Sequence, residues 1–550
     1  MTARPTVADA VGAALGALGT RCVFGVAGSG NFVVSEALRR AGARYVAARH
    51  EGGATGMADG WARVTGEVGV CSVHQGPGLT NTLTALAEAA KSRTPVLVLA
   101  GDTPGADLRS NFRIDQHDLV ASVGAIAERI HSPASAVRDA ARALHRARLQ
   151  RRPVVLNMPI DVQAQPAPDF AAPVLTPVPR APAPAAADIV RAAELVAAAE
   201  RPVIVAGRGS VLAGARDALE TLGERAGALL ATSAVAHGLF AGLPYDIGIA
   251  GGFSSPLAAE LLPQADLVLA FGATLNHWTT RHGALLGDRA RIVQVDVELD
   301  ALGAHVSPDV AIVGDAALTA AALRSALDGA PPRTGLRTAE LAERIATRRW
   351  HAEPYEDRAP SGTIDPRTLT IALERLLPPD RAVVVDSGHL TGWPAMYLTV
   401  PDAGSWLFVN AFQAVGLGLA NAIGAALARP DRVTVLAVGD GGLFLSLAEV
   451  ETAARLGVRL LVVVYDDRAY GAEVHHFSEL GRDVEIARFR DADIAALARA
   501  AGAEGVTVRA ASDLVAVERW LADGSGPLVV DAKVDPDVCA DWLAEAFRGH

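Results

Sequence analysis

The chain has 550 residues, enough for three or four ordinary domains, and 50% of them are hydrophobic while only 5% are aromatic. The formal net charge of -11 and the lack of a basic run argue against a nucleic-acid partner. We find neither an apolar leader nor a run of about 18 apolar residues, so we expect a cytoplasmic protein without a membrane span. Cys22, Cys71 and Cys539 show no pairing or metal-ligand spacing.

Short apolar strands alternate with Ala-rich helical stretches along the whole chain. This alternation predicts an α/β protein with three doubly wound parallel-sheet domains, in which ligands bind outside the carboxyl ends of the strands. Pro-rich breaks at 163–187, 328–340 and 356–366 separate the segments. The predicted domains span 1–165, 186–330 and 360–540.

The first segment places titratable residues directly after two of its strands. "RHEGGATGMADGWARVTG" (49–66) puts Glu51 at the start of a helix of small residues, where a glutamate could simply favour the helix dipole. His74 ends a later strand, two positions before the glycine run of "HQGPG" (74–78). An imidazole there could transfer a proton near neutral pH, or it could only bond to the backbone.

The third segment has acidic residues after two successive strands. "RVTVLAV" is a buried strand, and Gly439-Asp440-Gly441-Gly442 forms the predicted loop before a helix. Asp466-Asp467 ends the next strand, which should bring Asp440 and Asp467 to the same sheet edge. With the Ala469 carbonyl they could hold Mg²⁺, while the glycines let backbone N–H groups approach a diphosphate. The alternative is that Asp440 caps the helix and the later pair starts a turn.

The run from Gly439-Asp440-Gly441 to Asp467 closely resembles the thiamin diphosphate motif, although the family usually has Asn at the position of Asp467. Aspartate is still a hard oxygen ligand and adds one negative charge. The stretches 49–66 and 74–102 resemble the same family. The resemblance covers nearly the whole chain in the order pyrimidine-binding, central and diphosphate-binding domain, as in acetolactate synthase, pyruvate oxidase, benzoylformate decarboxylase and benzaldehyde lyase.

The resemblance implies a role for each matching residue. Glu51 would hydrogen-bond the aminopyrimidine ring, Val415 would wedge between the two cofactor rings, and the Gln413 carbonyl would accept the exocyclic N–H. His74 matches an active-site histidine of benzoylformate decarboxylase, so Glu51 and His74 are the expected catalytic residues. The expected cofactor-binding residues are Glu51, Pro77, Asn81, Ser387, Gly388, His389, Gln413, Val415, Gly439, Asp440, Gly441, Gly442, Asp467, Ala469 and Tyr470, of which Asp440, Asp467 and Ala469 would bind Mg²⁺. His74, His475 and His476 are the candidate substrate contacts, with at most one of the adjacent histidines facing the substrate.

The sequence looks nearest to the acetolactate synthase large subunit, but "NFRIDQHDLV" (111–120) lacks that enzyme's Phe-Gln-Glu run and "GAEVHHF" (471–477) lacks its acceptor-site Trp. The resemblance therefore implies a carboligase that decarboxylates a 2-oxo acid and passes the acyl anion to a carbonyl acceptor other than plain pyruvate. The alternatives are a simple decarboxylase or C–C lyase, and a cofactor-binding homologue without turnover.

Two further expectations follow from the resemblance. Some family members bind FAD or an adenine nucleotide in the central domain, but the lone GxG turn of "VIVAGRGSVLAG" is weak evidence, so FAD is not favoured here. The family builds each active site from the first domain of one subunit and the third domain of another. We therefore expect a homodimer or homotetramer with active sites at the subunit interface.

Overall fold

The computed structural model describes residues 4–170, 173–174, 177–329 and 331–548. Over these residues the chain forms three six-stranded sheets, and every paired strand is parallel, which confirms the predicted fold class. Ala330 and parts of the Pro-rich run at 163–187 lie outside the described residues. None of the described helices combines the length and apolar character needed to cross a membrane.

The first sheet has the order β2-β1-β3-β4-β6-β5. Its strands are β1 (Cys22–Gly25), β2 (Arg44–Ala47), β3 (Gly69–Val73), β4 (Val96–Asp102), β5 (Ile126–Arg129) and β6 (Val154–Pro159). The helices around it are α1 (Val7–Ala17), α2 (Phe32–Arg40), α3 (Glu51–Thr65), α4 (Pro77–Thr80), α5 (Leu83–Lys91), α6 (Gln116–Ser122), α7 (Ala136–Gln150) and α8 (Ile160–Gln163).

The second sheet has the order β12-β11-β10-β7-β8-β9. Its strands are β7 (Pro202–Ala206), β8 (Leu229–Thr232), β9 (Asp246–Ile249), β10 (Leu267–Phe271), β11 (Arg291–Asp296) and β12 (Val310–Val313). The helices are α9 (Ala186–Ala198), α10 (Arg208–Leu212), α11 (Arg216–Ala226), α12 (Pro256–Leu261), α13 (His277–Thr280), α14 (Ala316–Ala326) and α15 (Ala339–Thr347).

The third sheet has the order β14-β13-β15-β16-β18-β17. Its strands are β13 (Arg381–Val385), β14 (Trp406–Phe408), β15 (Val433–Gly439), β16 (Leu460–Asp466), β17 (Glu504–Val508) and β18 (Leu528–Lys533). The helices are α16 (Pro366–Leu376), α17 (Gly392–Tyr397), α18 (Gly418–Ala428), α19 (Asp440–Ser446), α20 (Ala448–Leu456), α21 (Gly471–Glu479), α22 (Ile494–Ala500), α23 (Val515–Asp523) and α24 (Trp542–Ala546).

The first and third domains share one apolar core because α3 packs directly against α18. Glycines make this approach possible: a Cβ atom on Gly60 would lie 2.1 Å from the Asn421 carbonyl oxygen, and one on Gly424 would lie 2.1 Å from the Met57 carbonyl oxygen. Because α3 begins at Glu51, this contact fixes the position of that residue relative to the third domain.

One local prediction needs correction. Gly439 to Gly442 do not form a loop: β15 ends at Gly439 and α19 begins at Asp440. The following helix is also divided at Leu447, and its second part ends at Leu456, capped by Gly457 in the left-handed conformation with φ +62°. The direct strand-to-helix junction places the first backbone N–H groups of α19 at the sheet edge.

Candidate active site

Buried Asp440 and partly buried Asp467 form an acidic pair at the carboxyl ends of β15 and β16. Asp440 is 5% exposed, and its Oδ1 atom has no hydrogen-bond partner among the described residues. Burial, followed by the charges of Asp467 and Asp466, raises the pKa of Asp440, and burial is also the main cause of a raised pKa at Asp467. Such a pair repels itself unless a cation or proton lies between the carboxylates, so the oxygen donors fit a hard divalent cation.

The neighbouring acid, Asp466, is already paired. Its Oδ2 atom accepts from Lys533 Nζ at 2.5 Å, and Lys533 also lies 3.1 Å from Asp531 and 2.7 Å from Asp491. Asp467 instead accepts from the Ala469 backbone N–H at 3.1 Å in the turn after β16. Of the two consecutive acids, Asp467 is therefore the one available to a ligand beside Asp440.

Glycines keep the start of α19 open. A Cβ atom on Gly441 would lie 2.7 Å from the Tyr470 ring, and one on Gly442 would lie 2.5 Å from Asp386 Oδ2. Both additions would force neighbouring atoms to shift. The structure thus brings Tyr470 beside the glycines, as expected for a narrow cradle that admits an anionic group to backbone N–H donors.

His389 follows β13 on the same side of the sheet, after Ser387 and Gly388. Its Nε2 atom accepts from the Ala540 backbone N–H at 3.2 Å. Burial, with a smaller effect of His475, lowers the pKa of His389 to about 3, so the imidazole is neutral near pH 7. With Nε2 acting as an acceptor, the proton of the neutral ring resides on Nδ1, which makes Nδ1–H a donor.

The segment that carries Gln413 and Val415 is held by a fully buried acid. Asp386 accepts from the Gly416 N–H at 2.9 Å and from the Gly418 N–H at 3.1 Å, and burial raises its pKa to about 6. Gln413 has a positive φ of 58°, and its carbonyl accepts from Ser387 Oγ at 3.3 Å. Val415 remains 38% exposed, as needed for contact with a bound molecule.

A second group gathers around the start of α3. Asn81 Nδ2 donates to Glu51 Oε2 at 2.9 Å. A Cβ atom on Gly78 would lie 3.6 Å from Glu51 Oε1 and 3.1 Å from His74 Cβ, so this glycine separates the two titratable side chains. Pro77 is exposed at the first position of α4. The structure therefore brings together Glu51, His74, Pro77 and Asn81.

The hydrogen bonds of His74 define its tautomer. Nδ1 lies 3.1 Å from the Gln75 carbonyl oxygen, which can only accept, so Nδ1 carries the proton. Nε2 lies 3.1 Å from Ser29 Oγ and accepts its hydroxyl proton. The Phe112 ring packs beside the imidazole with centroids 5.0 Å apart. Nε2 is thus the basic nitrogen. Its partner, Ser29, was not predicted from the sequence.

Among the described residues, the two groups do not line the same cavity. Asp440, Asp467, Ser387 and Val415 line a cavity of about 1910 Å³ that continues between the first and central domains. Among the described residues, those lining the cavity do not include Glu51, His74 or Asn81.

The GxG turn of the central domain also borders this cavity. A Cβ atom on Gly207 would lie 2.1 Å from the Gly272 carbonyl oxygen, so tight packing between the turns after β7 and β10 accounts for this glycine. Arg208 donates to the Ser92 carbonyl at 2.9 Å, which ties the central domain to the first.

The adjacent histidines of α21 have different neighbours. His475 packs on His389 with ring centroids 4.6 Å apart, whereas His476 stacks on Phe547 at 4.0 Å. Ligand atoms of His389, His475 and Cys539 all lie within 4.8 Å of one another. Sequence spacing could not reveal this cluster, because its members lie on three separate segments of the third domain.

Comparisons with known proteins agree with this arrangement. Three domain models of the thiamine pyrophosphate enzymes match: the N-terminal TPP binding domain at residues 5–122, the central domain at 189–323 and the C-terminal TPP binding domain at 386–532. A probable 2-ketoarginine decarboxylase of Pseudomonas aeruginosa is 35% identical over 92% of this chain and 90% of its own.

Two further relatives have different names. A sulfoacetaldehyde acetyltransferase of Castellaniella defragrans is 30% identical over 90% of this chain and 86% of its own. A putative acetolactate synthase large subunit of Mycobacterium tuberculosis is 31% identical over 97% of this chain and 98% of its own. With the three domain matches, these similarities mean that the chain belongs to the family of thiamin diphosphate-dependent enzymes.

Proposed function

We propose that the protein uses thiamin diphosphate and Mg²⁺ to decarboxylate a 2-oxo acid and to transfer the acyl unit to a carbonyl acceptor. The observation that carries the Mg²⁺ assignment is the Asp440–Asp467 acidic pair, in which the Oδ1 atom of buried Asp440 has no partner among the described residues. Relatives named for acetyl transfer and for acetolactate synthesis, each similar over most of the chain, support the carboligase assignment. We assign 1–165 to pyrimidine binding, 186–330 to the central domain and 360–540 to diphosphate binding.

The third domain would hold the diphosphate end of the cofactor. Asp440, Asp467 and the Ala469 carbonyl would bind Mg²⁺, with water and diphosphate oxygens completing its coordination. The N–H groups of Gly441 and Gly442, together with Ser387, Gly388 and the Nδ1–H of His389, would donate to the diphosphate oxygens. A neutral His389 fits this role because burial keeps it uncharged while Nδ1 still donates.

The first domain would supply the proton transfers. When bound, thiamin diphosphate supplies a nucleophilic carbon and an electron sink. Glu51 would hold a proton at the aminopyrimidine ring nitrogen, and Asn81 would orient its carboxylate through the bond at Oε2. His74 would exchange a proton with the substrate oxygen through Nε2, and the Gln75 carbonyl would hold the ring in the required tautomer by accepting from Nδ1–H. His475 and His476 are the further candidates for substrate contact.

A simple decarboxylase or a C–C lyase is the second candidate. The position of His74 favours it, because a general acid beside the reacting carbon could protonate the product. The name of the relative, 2-ketoarginine decarboxylase, points to a donor with a cationic tail. The exposed carboxylate of Glu473 lines the same cavity as Asp467. Intact Glu51, Asp440 and Asp467 argue against a homologue without turnover.

Carbon NMR with ¹³C-labelled pyruvate, Mg²⁺ and thiamin diphosphate, with and without an aldehyde, tests the proposal. We expect a mixed acyloin, because the retained acyl unit meets the added aldehyde; acetolactate would also establish carboligation, with pyruvate itself as the acceptor. Acetaldehyde alone would replace the carboligase assignment with the decarboxylase one. If pyruvate remains untouched, the same experiment with 2-ketoarginine and with aromatic and branched 2-oxo acids identifies the donor, and inertness toward all of them would refute the proposal.

We further propose a homodimer, or a dimer of dimers, in which each active site combines the first domain of one subunit with the third domain of another. The separation of the Glu51 and Asp440 groups in one chain supports this assembly. It also gives a strict test, because two variants with defects in different groups should complement each other.

Glu51→Gln and Asp440→Ala subunits, mixed in equal amounts under conditions that allow exchange, are expected to regain about a quarter of wild-type activity. Half of the dimers would then be mixed, and each mixed dimer would contain one intact site. Activity assays before and after exchange, with light scattering to verify the dimer, measure this. Two inactive proteins that stay inactive after proven exchange would place the whole site within one chain.

A further inference from the structure

Glu449 belongs to the third domain and contacts the first domain. It lies on α20, is 2% exposed, and accepts a hydrogen bond from the Thr452 hydroxyl at 2.6 Å. The same carboxylate accepts the backbone N–H of Arg49 at 3.1 Å and that of His50 at 3.0 Å. These two amides immediately precede Glu51, so a buried charge of the diphosphate-binding domain fixes the approach of the chain to the pyrimidine-binding residue.

The fit around this carboxylate is close. A Cβ atom on Gly53 would lie 2.2 Å from Glu449 Oε1, so the first turn of α3 rests directly on the acid. A buried carboxylate needs charge-assisted hydrogen bonds to offset its desolvation, and here two of the three donors are backbone amides of the other domain.

Glu88 makes the converse contact. It lies on α5 of the first domain, is fully buried, and accepts the backbone N–H of Ala411 at 3.2 Å and that of Phe412 at 2.7 Å. Arg63 lies 2.8 Å from the same carboxylate. The two amides immediately precede Gln413, the start of the segment that carries Val415.

We propose that Glu449 and Glu88 are reciprocal positioning residues, each fixing the cofactor-facing segment of the opposite domain of its own chain. Neither touches the cofactor; each acts through the two amides that it binds. The proposal rests on the proposed function. In the proposed dimer, Glu51 and Val415 of one chain serve different active sites, so the two glutamates would connect neighbouring sites through the protein backbone.

Glu451 provides a matched control on the same helix. Its Oε2 atom lies 2.6 Å from Arg49 Nε, but the two side chains are 30% and 54% exposed. It therefore contacts the same segment through a solvated side chain rather than through the backbone, and such surface pairs contribute little. Glu449→Gln and Glu451→Gln each remove one negative charge and should differ only if the buried contact matters.

Amide hydrogen exchange of the protein without cofactor tests the positioning directly. We expect the amides of residues 49 and 50 to exchange about tenfold faster in Glu449→Gln, and those of 411 and 412 about tenfold faster in Glu88→Gln. Glu451→Gln should leave both segments unchanged. In the loaded enzyme we expect Glu449→Gln to lower kcat about tenfold and to change the donor KM less than twofold.

Equal exchange at residues 49 and 50 in the Glu449 and Glu451 variants would overturn the proposal. A parallel change in kcat and KM would do so too, because it would indicate a general structural role. If Glu449→Gln does not fold, Thr452→Val keeps the carboxylate, removes one of its donors and should give a smaller change confined to the same amides. Faster exchange in Glu449→Gln, together with no thiamin-dependent turnover in the wild type, would refute the proposed function and leave the positioning role standing.

Discussion

Asp440→Ala is expected to weaken Mg²⁺-dependent binding of thiamin diphosphate more than about a hundredfold, whereas Asp467→Asn should bind the cofactor at least as well as the wild type. Alanine removes the carboxylate whose buried Oδ1 atom has no hydrogen-bond partner in the described part of the chain. Asparagine at 467 keeps a hard oxygen, removes the charge that repels Asp440, and restores the residue usual in the family.

Calorimetric titration of each variant with thiamin diphosphate, in Mg²⁺ and in a chelator, measures this effect. Asp467→Ala is the necessary companion, because it deletes the oxygen that Asn retains and should behave like Asp440→Ala. Wild-type affinity in Asp440→Ala would mean that the acidic pair does not bind the metal.

The fold class followed from strands with continuous apolar runs, such as Val433–Gly439, which parallel sheets bury on both faces. β17 (Glu504–Val508) carried no such signal, because most of its residues are polar or partly exposed. The junction at Gly439 and Asp440 was predicted as a loop because two further glycines follow. The structure starts the helix at Asp440, and the two glycines in its first turn leave room for Tyr470 and Asp386.

In the candidate site, too, local motifs could be predicted from the sequence, whereas long-range contacts could not. Glu51, Asp440 and Asp467 could be predicted because each follows a strand within a local motif. The contacts that hold them could not: Glu449 reaches the Arg49 amide across 400 positions of sequence, and Lys533 pairs with Asp466 across 67. The packing of the first domain on the third and of β16 on β18 brings these groups together, and no spacing rule predicts a carboxylate that binds a distant backbone amide.

Glu51→Gln is expected to lower kcat by about a hundredfold to ten-thousandfold while leaving cofactor affinity near the wild-type value. The amide keeps an oxygen that can accept from Asn81, so the local geometry should persist. It cannot exchange a proton with the aminopyrimidine nitrogen. Because the amide can still contact the ring but cannot transfer the proton, the loss should fall on turnover rather than on binding.

Steady-state kinetics at saturating thiamin diphosphate, together with calorimetric affinity, separate these two effects. Glu67→Gln is a suitable control, because that residue forms an exposed ion pair with Arg21 on the same domain and should change neither quantity. Unchanged turnover in Glu51→Gln would refute the proton-transfer role. Loss of affinity without loss of kcat would instead make Glu51 a binding residue. Asp440→Ala is expected to lose cofactor affinity and Glu51→Gln to lose turnover. If both variants lost affinity, their comparison would no longer distinguish metal binding from proton transfer.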